Sequence, residues 1–367
     1  MAAVFEPVAA RPAPSRARGL VPWVRANLLG SWPSIVATLA LMGLLAWWLT
    51  ELLDWAVLRA VTAPSLDACQ AARGSGACWG AVVEKWRLTI FGRYPFGQHW
   101  RPFTATVALL ALLVASCVRP LWSRWLALSW PVVLAACFAL MAGGVAGLER
   151  VPTDRWGGLP LTIMLSTLSI VLAFPLAVLV ALGRRSALPA IRAVCVLYVE
   201  LVRGVPLVSI LFMASFMFPL LMPPGVSIDV LLRVLAGITL FAAAYLAEVV
   251  RGGLQAIPRG QTEAAASLGL GYWQTQRKIV LPQALSLVVP GIMNSFISTF
   301  KDTSLVTIVS LYELTGSVGL AFDSDADWRP YKIEAYLFIA AIYFAFCFSM
   351  SRYSLSIERH LNLSRKR

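Results

Sequence analysis

At 367 residues, 59% of them hydrophobic and only 13% charged, the chain carries more apolar side chain than a soluble domain of this size can hide. Its mean hydropathy of +0.74 places it among all-α polytopic membrane proteins. The net charge of +13 would suggest nucleic acid in a soluble chain; in a membrane protein such residues anchor topology and attract anionic lipid, so lipid and not nucleic acid is the expected partner.

Residues 1–27 are rich in Pro, Ala and Arg and lack apolar periodicity, so they are expected to be a disordered cytoplasmic N-terminus. A span needs roughly 20 apolar residues. Windows near Trp32 to Thr50, Pro102 to Val118, Leu126 to Leu148, Leu161 to Leu182, Ile191 to Leu221, Val230 to Val250, Leu285 to Leu311 and Ile333 to Met350 qualify, about eight transmembrane helices in all. The first is followed by no small-residue cleavage site and reads as an uncleaved span.

With the N-terminus inside, most Lys and Arg residues fall on the cytoplasmic side, both termini lie there, and so does the polar stretch Arg251 to Gln283. The outer segment Glu51 to Arg101 breaks the pattern with Arg59, Arg73, Lys85, Arg87, Arg93 and Arg101. Cys69 and Cys78 share that segment, where they either bridge a short loop or remain free thiols; Cys117, Cys137, Cys195 and Cys347 read as apolar fillers.

Composition changes near Glu149 to Gly158. Before it, spans within residues 28–150 carry Trp47, Trp48, Trp122, Trp125 and Trp130 at interface positions and no buried charge; this is an extension of three helices with a periplasmic loop. After it, the windows hold Glu200, Arg203, Glu248, Lys301 and Asp302. Residues 354–367 form a basic cytoplasmic tail.

No lysine follows a glycine, so the chain lacks a phosphate loop and does not itself hydrolyse ATP. His99 and His360 stand alone, which leaves no metal site, no cofactor of the chain's own and no catalytic constellation.

Within Arg251 to Gln283, Pro258 and Gly260 break the preceding helix and Thr262 is placed to cap a new one. EAAASL is helix-forming until Gly269 and Gly271, and a second helix runs from Tyr272 to Val280 and stops before Pro282. Small alanines with Leu268, Ile279 and Leu281 would hold a compact knob; the competing reading is an amphipathic loop lying on lipid.

The spacing of Glu263, Ala264, Ala265, Gly269, Ile279, Leu281 and Pro282 resembles the EAA loop of bacterial ABC-importer permeases. That resemblance implies a type I importer core of five helices over 157–353, with the EAA coupling loop at 251–283. Glu263, Ala264, Ala265 and Gly269 would meet an ATPase subunit, and Ile279, Leu281 and Pro282 would form the returning arm. Gly158 to Arg185, Glu200 to Leu207, Ala247 to Ala265 and Phe300 to Val306 resemble the polar amino acid permeases, and the whole chain is most similar to the M subunit of general L-amino-acid importers. The resemblance implies two ATP-binding subunits carrying ATP and Mg, a shorter Q-type permease as heterodimer partner, and a periplasmic amino-acid-binding protein.

Lys301 and Asp302 lie within an apolar window, where a charge costs a few kcal/mol unless it faces a cavity or a counter-charge. With Thr303 and Ser304 they are candidates for lining a path that accepts a zwitterion; the alternative is a structural pair answered by a partner subunit. Glu200 and Arg203, three apart on one helical face, are expected to pair, with Gly204 and Pro206 loosening the helix as a hinge. An ion-coupled secondary transporter or channel for small polar solutes is the rival function.

Overall fold

The computed structural model describes residues 19–145 and 147–365. Two compact units are present, Met1–Val61 with Gln70–Cys78, and Thr62–Cys69 with Trp79–Arg367.

In the first unit, α1 (Leu20–Asn27) is helical, although the sequence pattern led us to expect disorder up to residue 27; the rest of that stretch, to residue 18, lies outside the described residues. Helix α2 (Trp32–Leu53) opens with Pro33 in its first turn and Ser31 as cap, and ends in a wide π turn, Asp54–Leu58. Arg59 pairs with Asp54.

The second unit contains most of α3 (Leu66–Ala72), α4 (Gly80–Phe91), α5 (Trp100–Cys117), α6 (Arg124–Ala142) and the working helices. These are α7 (Gly158–Gly183), α8 (Pro189–Arg203), α9 (Leu207–Phe212), which runs through a π turn into α10 (Phe218–Leu220), and α11 (Val230–Gln255). They continue with α12 (Arg259–Ser267), α13 (Tyr272–Thr275), which a π turn joins to α14 (Leu281–Leu287), then α15 (Val289–Asp302), α16 (Leu314–Asp323) and α17 (Lys332–Arg365). Among the described residues, 6 helices are long and apolar enough to cross a membrane, or up to 8 if each bent pair is one span. Cys69 and Cys78 are disulfide-bonded, and the other four cysteines are free.

Helix α7 is the spine of this unit. Its first half, with Leu161, Ile163, Met164 and Leu165, joins a core shared by Leu109 and Met141 of the extension and by Leu231, Val234 and Ile238 of α11. Its second half turns Ala173, Ala177 and Ala181 toward Ala242, Ala243 and Ala247 of α11, a core that also takes in Val280 and Ala284 of the loop's returning arm. Alanines four apart let two helices approach closely where lipid offers no hydrophobic drive of its own.

Two windows differ from the expected single helices. The window from Ile191 to Leu221 breaks after Arg203 and turns by 103°. Pro206 has no N–H to donate and forces the residue before it out of helical conformation, which explains the break. The window from Leu285 to Leu311 bends by 67° between α14 and α15 and ends in a tight 3-10 turn, Thr303–Val309. The Tyr272 helix was expected to stop before Pro282; instead the π turn Gln276–Val280 carries it into α14. A π turn also precedes Pro219, at Met213–Met217. The wider turn makes room for the ring of each proline and for the carbonyl that its missing N–H leaves without a donor.

The extension does hold a buried charge, contrary to expectation. Arg101 is 1% exposed. Its Nε donates to Leu140 O at 2.7 Å and its Nη2 to Met141 O at 3.2 Å, at the C-terminus of α6, while Nη1 donates to Glu149 O at 2.9 Å. A guanidinium there satisfies helix-end carbonyls and opposes the negative end of the helix dipole. The residues from 354 onward, expected as a tail, continue α17 to Arg365; Lys366 and Arg367 lie outside the described residues.

Candidate functional site

The polar loop folds as a helix, a glycine bend and a second helix. Pro258 occupies the cap position of α12, where Thr262 had been expected, and Thr262 Oγ1 instead donates to Arg259 O at 2.7 Å. Proline suits an entry position because the first turn of a helix has no partner for its N–H. The exit is a Schellman arrangement: Leu270 N donates to Ala265 O at 3.1 Å and Gly269 N to Ala266 O at 2.9 Å, with Gly269 at φ 72.

This geometry sorts the seven motif positions. Glu263, Ala264, Gly269 and Pro282 are exposed, and Ile279 and Leu281 are half-buried. Ala265, assigned by resemblance to the partner contact, is 1% exposed and faces inward, where its methyl suits the packing of α12 on the Gln276–Val280 turn. Leu268, expected to hold the knob together, is 78% exposed. With Tyr272 and Trp273 it forms an apolar tip that the motif spacing did not single out. Gln283 Nε2 donates to Gln261 Oε1 at 3.2 Å and to Ile279 O at 2.9 Å, tying the two arms.

Beside the start of the loop, four charged side chains converge on Glu248 or its partner arginine. Glu248 Oε2 accepts from Arg251 Nε at 3.0 Å and Nη2 at 2.7 Å, and Oε1 accepts from Arg184 at the end of α7. Arg203 Nη1 stands 3.8 Å from the same Oε1, and Glu200 Oε1 lies 3.2 Å from Arg184 Nη2. Glu200 and Arg203 therefore do not pair with each other as the i,i+3 spacing suggested; each turns to a charge on another helix. Gly204 and Pro206 mark the 103° break that follows.

On α15, Lys301 is exposed, Asp302 and Ser304 are half-buried, and Thr303 is 0% exposed with its hydroxyl donating to Phe300 O at 2.7 Å. Thr303 begins the 3-10 turn Thr303–Val309, which packs inward. Among the described residues no carboxylate lies within 4 Å of the Lys301 ammonium. Helix α15 starts at Val289, so Lys301 stands about 18 Å along it at a rise of 1.5 Å per residue.

Glu313 was missed as a site in its own right. It is 0% exposed and caps α16: Thr315 N and Gly316 N donate to it at 2.9 and 2.8 Å, Tyr343 OH at 2.8 Å and Thr307 Oγ1 at 3.1 Å. Thr162 Oγ1 accepts from Leu314 N at 3.0 Å, which brings the start of α7 into the same network. The only local signal was an acidic residue ahead of Leu314, Thr315 and Gly316, a weak cap pattern. Among the described residues, no group of three or more His, Cys, Asp or Glu side chains could hold a metal ion.

Residues 169–362 match the family described as binding-protein-dependent transport system inner membrane component. The chain is 46% identical, over 97% of its own length and 96% of the relative's, to an inner membrane amino-acid ABC transporter permease protein of Escherichia coli. It is 36% identical, over 97% of each chain, to a glutamate/glutamine/aspartate/asparagine transport system permease protein of Rhodobacter capsulatus. A crystal structure of an amino acid ABC transporter with histidines superposes with a TM-score of 0.49 at 28% identity, over 55% of this chain and 92% of that one.

Proposed function

The chain belongs to the family of binding-protein-dependent transport system inner membrane components and is a membrane-embedded permease subunit of an amino-acid ABC transporter; from that premise we propose that it works in an importer of polar or broad-range L-amino acids, driven through the loop 251–283. The observation that carries this reading is the sorting of the motif: Glu263 and Ala264 face outward on a short helix whose exit is fixed by Gly269 and whose inner side is anchored by Ala265. An exposed helix that rests on the Gln276–Val280 turn, whose Val280 joins the α7 and α11 core, is suited to receive a push from a docked subunit and pass it to the membrane helices.

In this reading two ATP-binding subunits, which bring ATP and Mg, dock at Glu263, Ala264 and the Leu268, Tyr272 and Trp273 tip. Their closure rocks two permease cores so that the path between them opens outward. Both termini and the loop are cytoplasmic, in the inner membrane. An extracytoplasmic amino-acid-binding protein delivers substrate at the opposite face, near Asp323, Asp325 and Asp327. One five-helix core encloses half a path, and the second half is a shorter Q-type permease. Lys301, Asp302 and Ser304 line the path, Lys301 meeting the substrate carboxylate.

The test is reconstitution of the permease pair with and without the ATPase. ATP-dependent uptake that needs the ATPase, and a complex that the exchange Glu263→Ala weakens, is the expected result. Uptake that persists without the ATPase and collapses with an ion gradient would support the rival secondary transporter.

A further inference from the structure

The cluster around Glu248 holds more positive charge than its one carboxylate neutralises. Oε2 is occupied by the two contacts from Arg251, on the same helix, and Oε1 by Arg184, whose side chain is 11% exposed. Arg203 comes third, at 3.8 Å from the oxygen that accepts from Arg184, too far for a hydrogen bond, and its side chain is 38% exposed. Its other neighbour is the Tyr245 ring, with the guanidinium carbon 5.3 Å from the centroid. Three guanidinium groups around one carboxylate repel one another, and the second carboxylate, Glu200, contacts Arg184.

The members of the cluster are not equally free to part. Glu248 and Arg251 share α11, and Arg184 ends α7, which the alanine seam joins closely to α11. Arg203 is the last residue of α8, directly ahead of the 103° break. A displacement of α11 by the loop it leads into would carry Glu248, Arg251 and Arg184 together and leave α8 behind, with Arg203 and the exposed Glu200 that faces Arg184.

Resting on the reading of an ATPase-driven loop, we propose that Arg203 is the exchangeable member of this clasp, a positioning residue that latches α8 to Glu248 in the nucleotide-free state and lets go when the coupling loop is driven. A partly exposed ion pair of this kind biases a two-state equilibrium by no more than about fivefold. It is also weakened by salt, unlike the enclosed Arg184 contact.

The experiment uses the assembled importer in lipid vesicles and measures ATP hydrolysis without substrate across a range of salt concentrations. Wild-type hydrolysis should rise with salt as the latch is screened. The exchange Arg203→Gln should raise it at low salt by about two- to fivefold and flatten the salt dependence, while Arg203→Lys, which keeps the charge, should retain the wild-type slope. Equal low-salt rates, or parallel salt slopes for wild type and Arg203→Gln, would overturn the latch. Glu263→Ala is measured alongside: loss of ATPase association there with no effect at Arg203 rejects the latch alone, whereas retained association and coupling rejects the loop reading on which it rests.

Discussion

Lys85 Nζ lies 2.7 Å from Asp325 Oδ2, joining helix α4 of the extension to the segment that follows α16, and the same ammonium stands 6.0 Å from the Trp328 ring. The hydrogen bond from Lys85 holds the Asp325 carboxyl below the usual carboxylate range. A carboxyl lowered on folding adds stability above its unfolded value, about 3.9 for aspartate, and loses it as pH falls through the lower folded value. The purified importer and its Lys85→Met variant are therefore expected to differ in melting temperature at neutral pH and to converge on acidification below about pH 4. A difference that persists unchanged in acid would assign Lys85 a packing role only.

Several basic residues of the segment Glu51 to Arg101, which broke the charge pattern, make contacts of their own. Lys85 is answered by Asp325 and Arg59 by Asp54. Arg101 is spent on helix-end carbonyls, and Arg87 and Arg93 lie over the rings of Phe96 and Tyr312 at 4.4 and 5.9 Å.

Glu313 carries the second prediction. Its carboxylate receives two backbone donors and the hydroxyls of Tyr343, Thr307 and Thr162, so Glu313→Gln keeps the shape but turns one acceptor into a donor facing other donors. The expected loss is about 1 to 3 kcal/mol of stability. Thermal unfolding of the assembled complex measures it, and an unchanged melting temperature would show that the network is dispensable. Tyr343→Phe removes one of these donors and should cost less, about 1 kcal/mol.

Hydropathy made the membrane helices legible because lipid leaves a spanning chain no other way to satisfy its backbone. Hydropathy did not mark the break after Arg203, because the residues on both sides, Leu201 and Val205 among them, are equally apolar; Gly204 and Pro206 marked it instead. The convergence of Arg184, Arg203 and Arg251 on Glu248 was invisible for a different reason: the pairing depends on how α7, α8 and α11 pack, and an i,i+3 rule finds only partners on one helix. Motif spacing named the loop, yet spacing cannot tell which alanine faces inward; only the turn of α12 separates Ala264 from Ala265.

Gly269 tests whether the bend or the contact matters. A Cβ there would meet nothing within 4 Å, so the constraint within this chain is its φ of 72 alone. Asparagine adopts that conformation readily and a β-branched residue does not, at a cost of about 1 to 2 kcal/mol. Gly269→Val is expected to uncouple ATP hydrolysis from uptake and Gly269→Asn to preserve coupling. Uncoupling by both would place the partner's surface against this residue, and coupling retained in both would remove the bend from the mechanism.

Lys301 decides whether the exposed charge on α15 belongs to the path. Its ammonium has no carboxylate within 4 Å among the described residues, and it stands on an apolar helix where an unanswered charge costs a few kcal/mol. If it meets the substrate carboxylate, Lys301→Met should abolish uptake while leaving the complex intact by size-exclusion chromatography, and Lys301→Arg should retain part of the activity. If it instead answers a carboxylate on the second permease, the methionine variant leaves that carboxylate buried and unpaired, and assembly itself should fail. Uptake at the wild-type rate by Lys301→Met would refute both roles, since neither a substrate contact nor an intersubunit pair survives the loss of the charge.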